Sequence, residues 1–277
     1  MDALVSTGWL ADHLHDPDLL VFDATKYLPT DGKDGLTEFG RAHIPGAGFF
    51  DIDAIADPDT KLPHMVPTPG RFEQLLGALG VSSSSHVVFY DQKGIASAPR
   101  GWWMMTLFGH DATAVLDGGL PKWLREGRPA EAGPPAALPP AIFQATLRAT
   151  RLRGIGDMMQ LDPGTVVLDA RPAGRFDGTA PEPRPGLPSG HMPGSRSLPF
   201  TALLNPDGTM LDPDHLRSLL AGAGADGSRP VVTSCGTGVT ATILTLALHR
   251  AGLPVGAVYD GSWTEWASRP DTPKETT

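Results

Sequence analysis

The chain contains a single cysteine, Cys235, in the run Pro230-Val231-Val232-Thr233-Ser234-Cys235-Gly236-Thr237-Gly238-Val239-Thr240-Ala241. The apolar residues before it read as a buried strand, and Val239, Ile243 and Leu246 after it fall on one helical face, so the thiol stands at a strand-to-helix turn. Gly236 and Gly238 let the backbone curl until successive N–H groups point inward, and the helix adds the positive end of its dipole. Such a place holds an anion and favours the thiolate, the nucleophilic form of cysteine. A lone cysteine without that setting is more often a small buried hydrophobe. One cysteine excludes an intramolecular disulfide and a multi-cysteine zinc site, and no metal or organic cofactor is implied.

A second group of candidates is basic. The stretch Ala173-Gly174-Arg175-Phe176-Asp177-Gly178-Thr179-Ala180-Pro181-Glu182-Pro183-Arg184-Pro185-Gly186 has almost no apolar periodicity and reads as a functional loop. Guanidinium groups form planar, bidentate hydrogen bonds with carboxylates and carbonyls, so Arg175 and Arg184 could grip a small oxyacid. Each taken singly reads equally well as a surface ion pair.

The elements that must position these residues occur twice. Leu20-Val21-Phe22-Asp23-Ala24 has a counterpart in Val167-Leu168-Asp169-Ala170, and Ala42-His43-Ile44-Pro45-Gly46 in Gly190-His191-Met192-Pro193-Gly194. Val87-Val88-Phe89-Tyr90-Asp91 matches Val231-Val232-Thr233-Ser234-Cys235, which puts Asp91 in the place of the cysteine. Asp117-Gly118 with Trp123 matches Asp260-Gly261 with Trp266 at the same separation. A duplicated α/β domain accounts for the pattern: short apolar strands alternate with helical stretches, as in mostly parallel sheets flanked by helices. The Pro-, Ala- and Gly-rich segment between the copies is expected to be a semi-rigid linker at 129–141, separating domains 1–128 and 142–277. His43 and His191 recur in the same turn, which duplication explains without catalysis.

Composition narrows the classes further. With 40% hydrophobic and 19% charged residues the chain suits a soluble globular protein, and no apolar run reaches the roughly 20 residues of a membrane span. A net charge of −9 argues against nucleic acid as a partner. The start, Met1-Asp2-Ala3-Leu4-Val5-Ser6, shows neither a secretory nor an Arg-rich targeting pattern, so a cytoplasmic location is expected.

Cys235-Gly236-Thr237-Gly238-Val239-Thr240-Ala241 resembles the active loop of the 3-mercaptopyruvate sulfurtransferases, tandem-domain members of the rhodanese superfamily, and the resemblance runs through nearly the whole chain. It implies two tandem rhodanese-like domains, the first lacking the cysteine and the second carrying it. It also implies that Cys235 takes sulfur from 3-mercaptopyruvate as a persulfide, held by the backbone of Gly236, Gly238, Val239 and Thr240. Arg175 and Arg184 match the family arginines that bind the donor's carboxylate and carbonyl. Asp53 and His64, in Phe49-Phe50-Asp51-Ile52-Asp53 and Pro63-His64-Met65, match residues proposed to form a proton relay with the loop hydroxyl, here Thr237. That pair reads equally as an interdomain hydrogen bond. Many relatives carry Ser where this chain has Thr237, a change that keeps the hydroxyl and adds a methyl group.

The implied acceptors are thioredoxin, small thiols or cyanide. Thiosulfate:cyanide sulfurtransfer is the alternative within the family, but those enzymes place basic residues in the loop where this chain has uncharged Gly236 and Thr237. A cysteine phosphatase would need Arg six positions after the cysteine, where Ala241 stands. A sulfur carrier or interaction module that merely keeps the fold is the non-enzymatic alternative.

Overall fold

The computed structural model describes all 277 residues as two compact units. The first comprises residues 1–58, 66–148 and 206–210, and the second residues 59–65, 149–205 and 211–277. The first is built on strands β1 (Leu4–Val5), β2 (Leu19–Asp23), β3 (Gly48–Phe49), β4 (His86–Tyr90) and β5 (Thr113–Leu116). The second is built on β6 (Leu152–Arg153), β7 (Val166–Asp169), β8 (Arg196–Ser197), β9 (Val231–Ser234) and β10 (Ala257–Tyr259).

Every strand pairing is parallel, and the two sheets share one permutation, β1-β5-β4-β2-β3 and β6-β10-β9-β7-β8. β4 and β9 are the central strands, fully apolar or uncharged over their buried lengths, as a sheet covered on both faces requires. Register aligns the copies: Asp23 lies opposite Tyr90 in one unit and Asp169 opposite Ser234 in the other. Asp91 and Cys235 therefore leave the sheet at the same point, the carboxyl end of the central strand, where ligands of parallel sheets collect.

Duplication extends to the packing. His43 stacks on Phe39 with Nδ1 on its carbonyl, and His191 does the same with Phe176. Trp123 donates its indole N–H to the Pro129 carbonyl and Trp266 to the Pro273 carbonyl. These residues pin loops to each core, which accounts for their recurrence.

The Pro-rich segment differs from the expected linker. Glu131, Gly133, Ala136 and Ala141 are hydrogen-bonded along the first unit to His43, Gly40, Ala47 and Gly77, and Phe143 is buried against Phe72. Beyond this segment the chain passes to the second unit at 148/149, so residues 129–148 form a strap on the first. Proline and glycine composition reports the lack of regular structure; it does not report where isolated backbone groups find partners.

The copies also differ in how they neutralise the aspartate that ends the second strand of each sheet. Asp23 is fully buried and is held by neutral donors only: the Thr25 N–H and hydroxyl and the Gln92 amide. Burial outweighs those bonds and raises its carboxyl to about 6. A carboxyl protonated more readily when folded than when unfolded gives stability that is complete below pH ~4 and lost as pH rises through ~6. At 1.36 kcal/mol per unit, a rise from 3.8 to about 6 is worth at most about 3 kcal/mol. Denaturant unfolding at pH 4.5 and 7 is expected to show a larger loss of stability in the wild type than in Asp23→Asn, by up to that amount; parallel pH profiles would refute it.

Candidate active site

Cys235 follows β9 directly and is 1% exposed. Its carbonyl accepts the Trp263 N–H at 2.9 Å, and the Gly236 carbonyl accepts the Thr264 N–H at 2.9 Å. The Cys235 N–H donates to Ser262 Oγ at 3.1 Å, and that hydroxyl donates to the Tyr259 carbonyl at 2.8 Å. Two carbonyls of the loop and the Cys235 N–H are thus tied to the start of the helix Ser262–Ser268. Ser262 takes a left-handed φ of 49° to do this; in the first unit the same post is held by Gly119 at 53°, while Leu120 donates to the Asp91 carbonyl.

The N–H groups of Gly236, Val239 and Thr240 enter no hydrogen bond within the protein. Gly238 adopts φ 75°, and the buried helix Ala241–Arg250 starts at Thr240 with no side-chain cap. Uncommitted N–H groups beside a helix N-terminus form a cradle for negative charge.

The first unit shows what such a cradle holds. There Asp91 Oδ2 accepts the N–H groups of Ala96, Ser97 and Ala98 at 2.8, 2.8 and 2.9 Å, and Oδ1 accepts that of Lys93 at 2.9 Å. A carboxylate built into the chain fills the cradle where the second unit has a thiol.

Thr237 and His64 are both buried in the second unit, with Thr237 Oγ1 2.9 Å from His64 Nδ1. His64 holds a left-handed φ of 63°, a strained backbone for a residue with a Cβ. The structure brings these two expected residues together. Asp53 lies in the first unit, in the short helix Ile52–Ile55, where its carboxylate bonds the Lys26 ammonium.

Arg175 is held in a short helix, Ala173–Asp177, where a loop was expected. A Cβ built at Gly236 would lie 2.9 Å from Arg175 Nη2, so the guanidinium occupies the space a side chain would take beside the cysteine. Its Nε and Nη2 are bound by Glu182, at 3.2 and 2.5 Å. Arg184 is half-buried farther along the loop after that helix.

Four residues of the neighbourhood were not singled out from the sequence: Asp169, Arg171, Glu182 and Ser262. Arg171 is fully buried; it chelates Asp169, donates to Glu182 at 2.8 Å and to the Gly190 carbonyl, and stacks on Trp263. Burial would lower its pKa, but the charges and hydrogen bonds of Asp169 and Glu182 more than offset this and raise it. The signal was present in the repeat, which reads Asp-Ala-Thr at 23–25 and Asp-Ala-Arg at 169–171.

A model of the rhodanese-like domain matches residues 6–126 and again 157–269. The chain belongs to the rhodanese family. It is 43% identical to the 3-mercaptopyruvate sulfurtransferase of Rattus norvegicus, over 96% of this chain and 92% of that one. It is 40% identical to the thiosulfate sulfurtransferase of Cricetulus griseus, over 95% and 91%. The crystal structure of SseA from Escherichia coli, described as a 3-mercaptopyruvate sulfotransferase of rhodanese fold, superposes with a TM-score of 0.85 at 35% identity, covering 95% of this chain and 99% of that one. Sequence and fold agree on two rhodanese domains in tandem.

In a member of this family a methyl group at Gly236 would displace Arg175 and leave the cysteine in place. Gly236→Ala is therefore expected to weaken carboxylate binding at the loop about tenfold, a change of roughly 1.4 kcal/mol. The readout is the concentration of pyruvate that protects Cys235 from alkylation; unchanged protection would separate Arg175 from the anion site.

Proposed function

We propose that this chain transfers sulfur from 3-mercaptopyruvate to a thiol or cyanide acceptor through a persulfide on Cys235, releasing pyruvate. The observation that carries this reading is the buried cysteine in a cradle of uncommitted N–H groups, with the Arg175 guanidinium against the next residue. The cradle suits an anionic sulfur, and the guanidinium suits a carboxylate a few ångströms away.

In this mechanism the Cys235 thiolate attacks the donor sulfur, an S–S bond forms, and the donor's C–S bond breaks with its electron pair passing into the adjacent carbonyl as an enolate. The proton the donor thiol carried ends on the methyl carbon of pyruvate, and Cys235 keeps the sulfur as a persulfide anion. Backbone N–H groups of residues 236–240 stabilise that terminal sulfur until an acceptor thiolate, from thioredoxin or a small thiol, or cyanide removes it. Arg184, on the loop that follows the helix of Arg175, pairs with the donor's carbonyl and carboxylate oxygens.

The Thr237 hydroxyl and the His64 ring form a path along which the proton reaches the enolate. Asp53's membership of that relay rests on the resemblance alone. Thiosulfate as donor is the second reading, supported by the identity to the Cricetulus griseus enzyme. Against it, no charged residue stands between Cys235 and the helix at Ala241 to meet a dianion.

Wild type is expected to release pyruvate from 3-mercaptopyruvate with a thiol acceptor faster than it forms thiocyanate from thiosulfate and cyanide. Mass spectrometry should show one added sulfur, absent from Cys235→Ser; dominant thiosulfate turnover would exchange the two readings. His64→Ala should lower kcat by about 10²-fold if the ring moves a proton in the slow step, and full turnover in that variant would remove the relay.

A further inference from the structure

A closed circuit of contacts surrounds the cysteine loop inside the second unit. Trp263 donates its N–H to the Cys235 carbonyl, and Arg171 stacks over the Trp263 ring at 4.6 Å. Arg171 reaches Glu182 at 2.8 Å; Glu182 grips Nε and Nη2 of Arg175; and Arg175 Nη2 rests against Gly236, the residue after the cysteine. Asp169, at the end of β7, anchors the circuit by chelating Arg171.

The first unit serves as an internal control. It has the same sheet, the same strand order and an aspartate at the same register, yet Thr25 stands in place of Arg171 and Asp23 is satisfied by Thr25 and Gln92. The fold forms without the charge chain, and the chain is found in the unit that carries the cysteine. Its presence there answers to the site, not to the sheet.

We infer that Glu182 is a positioning residue: its carboxylate, fixed from behind by Arg171, holds one edge of the Arg175 guanidinium so that the other edge faces a carboxylate bound beside Cys235. Glu182 suits this role because its side chain is 2% exposed and so bonds rigid partners in place of water, while the Arg175 side chain is 15% exposed. A guanidinium fixed through Nε and one Nη presents its remaining N–H groups in a constant direction. This rests on the reading of Arg175 as the donor-carboxylate ligand.

Because Cys235 is the only cysteine, alkylation reports on this geometry cleanly. Iodoacetate and iodoacetamide react by the same displacement, with the sulfur–carbon bond formed as iodide leaves, and differ in carrying a carboxylate or a neutral amide. Wild type should favour iodoacetate, relative to the ratio shown by glutathione, by about tenfold or more. Glu182→Asp keeps the charge and shortens the reach by one methylene; it should bring the ratio to within about threefold of glutathione's and raise KM for 3-mercaptopyruvate more than it lowers kcat.

A wild-type ratio equal to that of glutathione would overturn the role of Arg175 itself. A normal wild-type ratio retained in Glu182→Asp, or a fall of both reagents by one factor, would overturn the positioning role alone. Glu182→Gln, which keeps the shape, serves if the shorter variant fails to melt cooperatively; should both fail, the charge chain is a folding element and the inference falls.

Discussion

A cluster of peptide N–H groups at the turn between a central parallel strand and the helix behind it is the constraint that both halves of this molecule share. Peptide N–H groups that converge there cannot bond one another, and within a buried turn they have little access to water. An anion satisfies several at once and lies on the positive end of the helix dipole. In the first unit the chain supplies the anion itself, through Asp91 and four N–H donors. In the second the group at that position is the buried Cys235 sulfur. The first copy thus displays a carboxylate seated where the second carries its thiol.

Around that anion the two units diverge in how they treat buried charge. Asp23 sits among neutral donors and is pushed toward protonation, whereas Asp169 is chelated by Arg171, which continues through Glu182 to Arg175. The three buried charges, Asp169, Arg171 and Glu182, are expensive to desolvate and contribute little net stability, while removing one leaves its partner uncompensated at a cost of about 3–5 kcal/mol. What such a chain provides is a fixed direction for its exposed end, and its exposed end is the arginine beside the cysteine. The backbone strain lies in the same place: Ser262 and His64 both hold left-handed φ values, one clamping the Cys235 backbone and the other meeting Thr237. Strain of roughly 1–3 kcal/mol per residue persists where surrounding structure overdetermines it.

Family membership, duplication and the place of the single cysteine are local facts, and the sequence alone determined them. Strands 87–90 and 231–234 are visible as apolar runs, the turn as Gly236 and Gly238, and the missing cysteine as Asp91, because each is encoded by neighbours along the chain. Composition likewise marked 129–141 as irregular, though not as a strap: the partners of Glu131, Ala136 and Ala141 lie tens of residues away. Arg175 and Arg184 were legible as a matched pair on a loop, yet the short helix that carries Arg175 was not, since five residues have no periodicity to read.

Only the tertiary structure decided which charges meet. The contacts Arg171 to Glu182, Arg175 to Gly236, Ser262 to Cys235 and His64 to Thr237 join segments separated by up to 173 residues. Their spacing carries no code, because a side-chain contact of about 3 Å depends on the sum of every intervening backbone angle. A sequence names the groups that could do chemistry; the fold selects the few whose directions are fixed well enough to do it.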